Sequence, residues 1–165
     1  MPTAYIALGS NLQNPIRQVQ SALLAIANIP STRLIKQSSL YQTAPIDCVH
    51  SEQQPVPDFI NAVALLETDL TPIALLEALF DIENIAGRER PYVNAPRVLD
   101  CDLLLYENMS INTNKLTLPH PRMHHRGFVL LPLFEIAPHL TLPNHGKIAE
   151  LIENNQFTDI KKLQA

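Results

Sequence analysis

Two dipeptides, Asn14-Pro15 and Thr71-Pro72, constrain the fold of this chain most. In each, a residue able to cap a helix precedes a proline. The fixed φ of that proline suits the first helical turn, and its missing N–H is not needed there. Apolar residues then recur at helical spacing. They are Ile16, Val19, Leu23 and Ile26 after the first dipeptide, and Ile73, Leu76, Leu79, Phe80 and Ala86 after the second. Pro30 is a stop for one helix and Gly87 for the other. Four stretches around them read as strands: Thr3 to Leu8, Thr32 to Tyr41, Phe59 to Glu67 and Leu99 to Tyr106. The order β-α-β-β-α-β predicts an α+β chain with a ferredoxin-like antiparallel sheet and helices packed on one face. A helix around Phe128 to Ile136 and a short amphipathic one near Ile148 to Glu153 are extra C-terminal helices. With the long loops they are expected to cover the other face, where a pocket can form.

The 165 residues suit one domain over 1–165, and a chain 46% hydrophobic and 17% charged is not composed like a disordered one. No apolar run reaches membrane-spanning length and MPTAYIALGSN lacks a leader's basic start, so a soluble cytoplasmic protein is expected, with no membrane partner. Cys48 and Cys101 form no CxxC, and Cys101 lies in an apolar run, so a reduced buried thiol is expected. A net charge of −4 opposes general nucleic-acid binding. The charge is uneven, however: residues 88 to 126 carry six basic against four acidic side chains, five of the basic ones being arginine. Scattered surface charge would explain this, and so would a local polyanion site.

Asp100 and Asp102 stand two apart in APRVLDCDLLLY. On a strand they share a face, with Cα atoms about 6.6 Å apart, while Leu99, Cys101 and Leu103 point into the opposite layer. Two such carboxylates can hold one hard cation, or two ions roughly 3.5 to 4 Å apart, and oxygen ligands without a nearby thiolate favour magnesium over zinc. An acidic edge strand facing solvent is the alternative. The loop GRERPYVNAPR brings Arg88, Arg90 and Arg97 towards this pair. Acids with several arginines suit a metal-bound phosphate chain, and simple ion pairing is again the alternative. Only Gly9, Gly87, Gly127 and Gly146 are available, so neither a Walker loop nor GxGxxG can form. A nucleotide would be held by side chains and metal. The run LPHPRMHHRGF brings His120, Arg122, His124, His125 and Arg126 together. Its spacing offers no clear zinc triad, and phosphate contact by His120 and Arg126 fits the acidic pair better. The proline-rich segment 42–57 and the segment 88–97 read as long loops of the functional kind.

IALGSNL, YQTAPI, FINAV, IENIAGRER with NAPRVLDCDLLLY, and LPHPRMHHRGFVLLPLFEIAP resemble hydroxymethyl-dihydropterin pyrophosphokinase, in order and over nearly the whole chain. The resemblance implies a ferredoxin-like fold and transfer of pyrophosphate from ATP to 6-hydroxymethyl-7,8-dihydropterin, with AMP as the second product. It implies two magnesium ions on Asp100 and Asp102, a catalytic loop with Arg88, Arg90 and Arg97, and ATP contacts from Glu83, Leu103, His120 and Arg126. Thr43, Ile46, Phe59, Asn61 and Phe128 match the pterin pocket. The chain departs from the family pattern at Phe80, where glutamine is frequent, and at Tyr92 and Val93, in a region where some members carry a tryptophan. A monomer whose partners are small molecules is expected. The competing reading is a non-catalytic ferredoxin-like domain that binds a small molecule or regulates.

Overall fold

The computed structural model describes residues 1–11, 14–43, 58–87, 99–155, 157 and 160–163. Strand β1 (Thr3–Ser10) leads to helix α1 (Pro15–Ala27), β2 (Thr32–Gln37), β3 (Tyr41–Thr43), β4 (Phe59–Thr68), helix α2 (Pro72–Ala86) and β5 (Asp100–Tyr106). Next come the small hairpin β6 (Ile111–Asn112) and β7 (Thr117–Leu118), a 3-10 turn (Met123–His125) and helix α3 (Gly127–Ile136). The hairpin β8 (Thr141–Leu142) and β9 (Gly146–Lys147), helix α4 (Ile148–Asn155) and β10 (Ile160–Lys162) complete the order. It is a mixed α+β architecture, with antiparallel pairing among the described residues. The main sheet runs β10-β3-β4-β1-β5, with β2 also paired to β4.

The predicted strand Thr32 to Tyr41 is broken into β2 and β3, both on β4. Ser38 causes the break. Its N–H donates to the Val63 carbonyl at 2.9 Å and its hydroxyl oxygen accepts the Val63 N–H at 2.9 Å, so a side chain replaces one rung of the backbone ladder. The two helix starts also differ. Thr71 caps α2 as expected, its hydroxyl accepting the Ala74 N–H at 3.1 Å. Asn14 makes no side-chain cap: it sits in the left-handed region at φ 61°, which Asn tolerates better than most residues, and turns the chain into α1. Thr71→Ala is expected to cost about 1 kcal/mol, read as a lower melting temperature.

Alternation on the strands separates two cores. Ala4, Ile6 and Leu8 of β1, Ile60, Ala62, Ala64 and Leu66 of β4, and Cys101 and Leu103 of β5, joined by Leu99, pack against α1 and α2. On the other face Ala7, Val63, Leu104 and Leu105 pack under α3 and α4. A register shift opposite Tyr5/Ile6 lets consecutive Leu104 and Leu105 serve the same core. Apolar residues at nearly every position of α3 fit its burial between the sheet and α4.

Helix α3 is tied to the far edge of the sheet through Glu135. Its carboxylate accepts the Tyr41 hydroxyl at 2.7 Å, the Ser39 N–H at 3.1 Å and the Ser39 hydroxyl at 3.0 Å, and lies 3.9 Å from Lys162 Nζ. Burial alone would raise the pKa of this carboxyl. The bonds from Tyr41 and Ser39, with the Lys162 charge, outweigh it and hold the pKa below 4.5. A carboxyl whose pKa is depressed by folding adds stability that is complete above its unfolded value and is lost as pH falls through the folded one. Thermal melts between pH 7 and pH 3 should therefore show Glu135→Gln less stable than the parent at neutral pH, with a shallower acid decline.

Candidate active site

Followed along the strands, the α3 face of the sheet changes from apolar to polar. Ala7 is succeeded by Gly9 on β1, Val63 is preceded by Asn61 and Phe59 on β4, and Leu104 is preceded by Asp102 and Asp100 on β5. Side chains two apart share a face, so these polar residues extend the floor on which α3 packs. They line a cavity of about 370 Å³ with Thr43, and Arg122, His125, Arg126 and Phe128 close it from the 3-10 turn and the start of α3. Register places Asn61, Gly9 and Asp100 in one row, with Asn61 and Asp100 on either side of Gly9. That sets the amide and the carboxylate strands roughly 10 Å apart, two interstrand spacings.

Gly9 is needed for a close approach, because a Cβ there would lie 3.0 Å from Asn61 Oδ1. Asn61 is itself buried and donates from Nδ2 to Thr43 Oγ1 at 3.0 Å. One amide hydrogen and Oδ1 remain for a ligand. The Arg126 guanidinium stands 5.5 Å from the centre of the Phe128 ring.

A second cavity, of about 260 Å³, opens along β5, at the edge of the main sheet among the described residues. Glu83, Leu103 and His120 line it, with Phe80, Lys115 and Thr117. Asp102 lines both cavities. Glu83 Oε1 accepts the N–H of Cys101 at 2.8 Å, which satisfies an edge-strand donor and fixes the backbone between the two aspartates. Burial pushes the Cys101 thiol up, and the charges of Glu83, Asp102 and Asp100 push it further, so it is neither nucleophile nor soft-metal ligand. Burial lowers the His120 pKa, against the pull of Asp102 and with help from the Arg126 and Arg122 charges. Its Nδ1 accepts the Arg122 N–H at 3.2 Å, so the neutral ring carries its proton on Nε2.

The histidine run does not converge. His124 stacks on His145 at 3.6 Å and 10°, and its ring meets that of His125 at 3.7 Å with a tilt of 47°. Among the described residues no group of three or more His, Cys, Asp or Glu could hold a metal ion. A cation at Asp100 and Asp102 would therefore complete its shell with substrate oxygens and water. Magnesium is bound in that manner, by one or two carboxylates plus phosphate, and the donor set fits it.

The first cavity thus brings together Thr43, Phe59, Asn61, Asp100, Asp102, Arg126 and Phe128; the second takes Glu83, Leu103 and His120. Arg126 and His120, paired in the sequence reading, line different cavities with Asp102 common to both. Ile46, Arg88, Arg90 and Arg97, like Tyr92 and Val93, lie outside the described residues. Sequence reasoning missed Gly9, whose signal is a glycine ending a strand. It also assigned no role to Arg122, His125, Lys115 or Thr117.

This architecture defines an α+β protein with two adjoining cavities of ligand size, one with aromatic and amide walls and the other more polar, which share Asp102 at their boundary. Residues 5–138 match the family described as 7,8-dihydro-6-hydroxymethylpterin-pyrophosphokinase (HPPK). The chain belongs to that family. It is 48% identical over 164 residues to the 2-amino-4-hydroxy-6-hydroxymethyldihydropteridine pyrophosphokinase of Haemophilus influenzae, covering 99% of this chain and 98% of the relative. It is 42% identical over 159 residues to the Pseudomonas aeruginosa protein of the same name, covering 96% and 95%. A Plasmodium falciparum HPPK-DHPS triple mutant crystallised with SDX-DHP shares the fold, with TM-score 0.79 at 16% identity over 99% of this chain. An HPPK-DHPS in complex with substrates does so with TM-score 0.75 at 14% identity. The chain spans about half the length of those two solved chains, 48% and 47%. Among the described residues no helix is long and apolar enough to cross a membrane.

Proposed function

We propose that this chain transfers the pyrophosphoryl group of ATP to the hydroxymethyl oxygen of 6-hydroxymethyl-7,8-dihydropterin, giving the pterin diphosphate and AMP in folate biosynthesis. The observation that carries the reading is Asp102 at the boundary of the two cavities, with Asp100 beside it. A flat acceptor on one side and a polyphosphate donor on the other would meet there. Family membership favours this over a non-catalytic binding domain.

The pterin edge is read by Asn61, whose amide is held by Thr43, and the ring lies between Phe59 and Phe128. The 370 Å³ cavity is within the usual range for such ligands, about 300 to 1,000 Å³. ATP occupies the side of Glu83, Leu103 and His120, where Lys115 supplies charge and His120 Nε2–H a neutral donor. Arg126, with Arg88, Arg90 and Arg97 from the sequence between α2 and β5, neutralises phosphate oxygens, which is the main requirement of phosphoryl transfer. Asp100 and Asp102 would hold magnesium, two ions in our reading, which when bound lowers the acceptor alcohol's pKa and screens the phosphates. No dedicated base is then required of the protein. The strand order β5-β1-β4 followed by β2/β3 supports a ferredoxin-like topology. We read residues 1–165 as one catalytic domain acting as a cytoplasmic monomer.

Incubation with ATP, magnesium and the pterin alcohol should release AMP only when all three are present. ADP as product, or no turnover with authentic substrates, would contradict the reading. A finer expectation concerns Gly9→Ala. The added methyl meets Asn61 Oδ1 at 3.0 Å, and Asn61 cannot yield without loosening its 3.0 Å bond to Thr43. The pterin KM should rise roughly tenfold, the effect of about 1.4 kcal/mol, with the ATP KM nearly unchanged.

A further inference from the structure

The C-terminal residues reach the pterin side of the site although the family match ends at residue 138. Strand β10 pairs with β3 in a register that sets Ile160 opposite Thr43 and Lys162 opposite Tyr41, and the Leu163 N–H donates to the Leu40 carbonyl at 2.8 Å. The same segment lies on the first turn of α3. A Cβ at Gly127 would stand 2.5 Å from Phe157 Cγ and 2.6 Å from Ile160 Cδ1, so both side chains rest on bare backbone there. Gly127 stands between Arg126 and Phe128, two of the residues that close the cavity. At the other end of α3, Glu135 is hydrogen-bonded to Ser39 and Tyr41 and lies near Lys162. Helix α3 and strand β3 are therefore joined to β10 at both ends of the helix.

We infer that Phe157 and strand β10 are a positioning element for the pterin pocket, with Phe157 and Ile160 acting through Gly127 and Thr43. The inference rests on the pterin reading of the first cavity. Thr43 and Phe128 both adjoin this segment: Thr43, held by β4 on its other side, through strand pairing, and Phe128 through the seat under Gly127. Asp100 and Asp102 do not. Three strands separate β10 from β5 in the sheet, and β5 is held instead by β1, α2 and Glu83. Loosening the segment should widen the aromatic-amide wall and leave Glu83, Leu103 and His120 in place, so that on the nucleotide side only Arg126 is within its reach. The effect is directional, which distinguishes it from a general loss of stability.

The test uses the whole chain and equilibrium titration with the pterin alcohol and, separately, a non-hydrolysable ATP analogue with magnesium. Ile160→Ala trims the residue opposite Thr43. Gly127→Ala displaces the segment without shortening it, in a change that helix propensity alone would favour. Both variants are compared well below their melting temperatures. Ile160→Ala should weaken pterin binding roughly tenfold while analogue binding stays within about twofold; Gly127→Ala, beside Arg126, should weaken pterin binding roughly tenfold and analogue binding by clearly less. Equal weakening for both ligands, or none for either, would overturn the inference. A parent chain that binds the analogue but not the pterin would remove the reading beneath it. A parent that binds both, with variants lacking the split, would remove the positioning role alone.

Discussion

Asp102→Ala should lower turnover by about three orders of magnitude or more, equivalent to roughly 4 kcal/mol of transition-state stabilisation. The side chain borders both cavities, so its loss removes the charge that joins the proposed donor and acceptor sites. Asp100→Ala, which borders only the first, should lose at least about 10²-fold. Both variants should remain folded. The aspartates are half-buried on the ligand face of β5, whereas Leu99, Cys101 and Leu103, which fill the core beneath, are untouched. Melting temperature and turnover measured on the same preparations separate the two effects. Near-normal rates in both variants would remove the metal role.

Asn61→Ala is expected to raise the pterin KM by roughly 30- to 100-fold, from the loss of about 2 to 3 kcal/mol of buried hydrogen bonding. The residue is 4% exposed and its amide orientation is fixed by Thr43, so the recognition groups are set before the ligand arrives. A truncated side chain leaves a polar ring edge facing an apolar hole, where water cannot easily replace both bonds. The ATP KM should change little, because Asn61 lies on the first cavity only. Comparable rises in both KM values would show that the residue supports the fold and not recognition.

These residues differ in how far they could be read from sequence. The aspartate pair was legible because strand alternation is local: Leu99, Cys101 and Leu103 being core obliges Asp100 and Asp102 to the other face. Phe59 and Asn61 fall on one face by the same rule, but their meeting with Phe128 depends on where α3 docks. That was reached through resemblance to a family and not through period. Ser38 concealed the break between β2 and β3, since its side chain replaces a rung of the ladder that a propensity reading assumes continuous. Strands of two or three residues such as β6, β8 and β10 carry no periodic signal. Strand β10 also pairs with a partner more than a hundred residues earlier. Gly9 was visible as a strand-ending glycine, but its closeness to Asn61 follows from pairing.

In the proposed reaction the two terminal phosphoryl groups of ATP move as one unit to the pterin alcohol. Tracing isotope from γ-labelled ATP tests it most directly. With the protein, magnesium and 6-hydroxymethyl-7,8-dihydropterin, the label should appear in the pterin diphosphate, in step with unlabelled AMP. Label recovered as inorganic phosphate or in a pterin monophosphate, with ADP accumulating, would contradict the account.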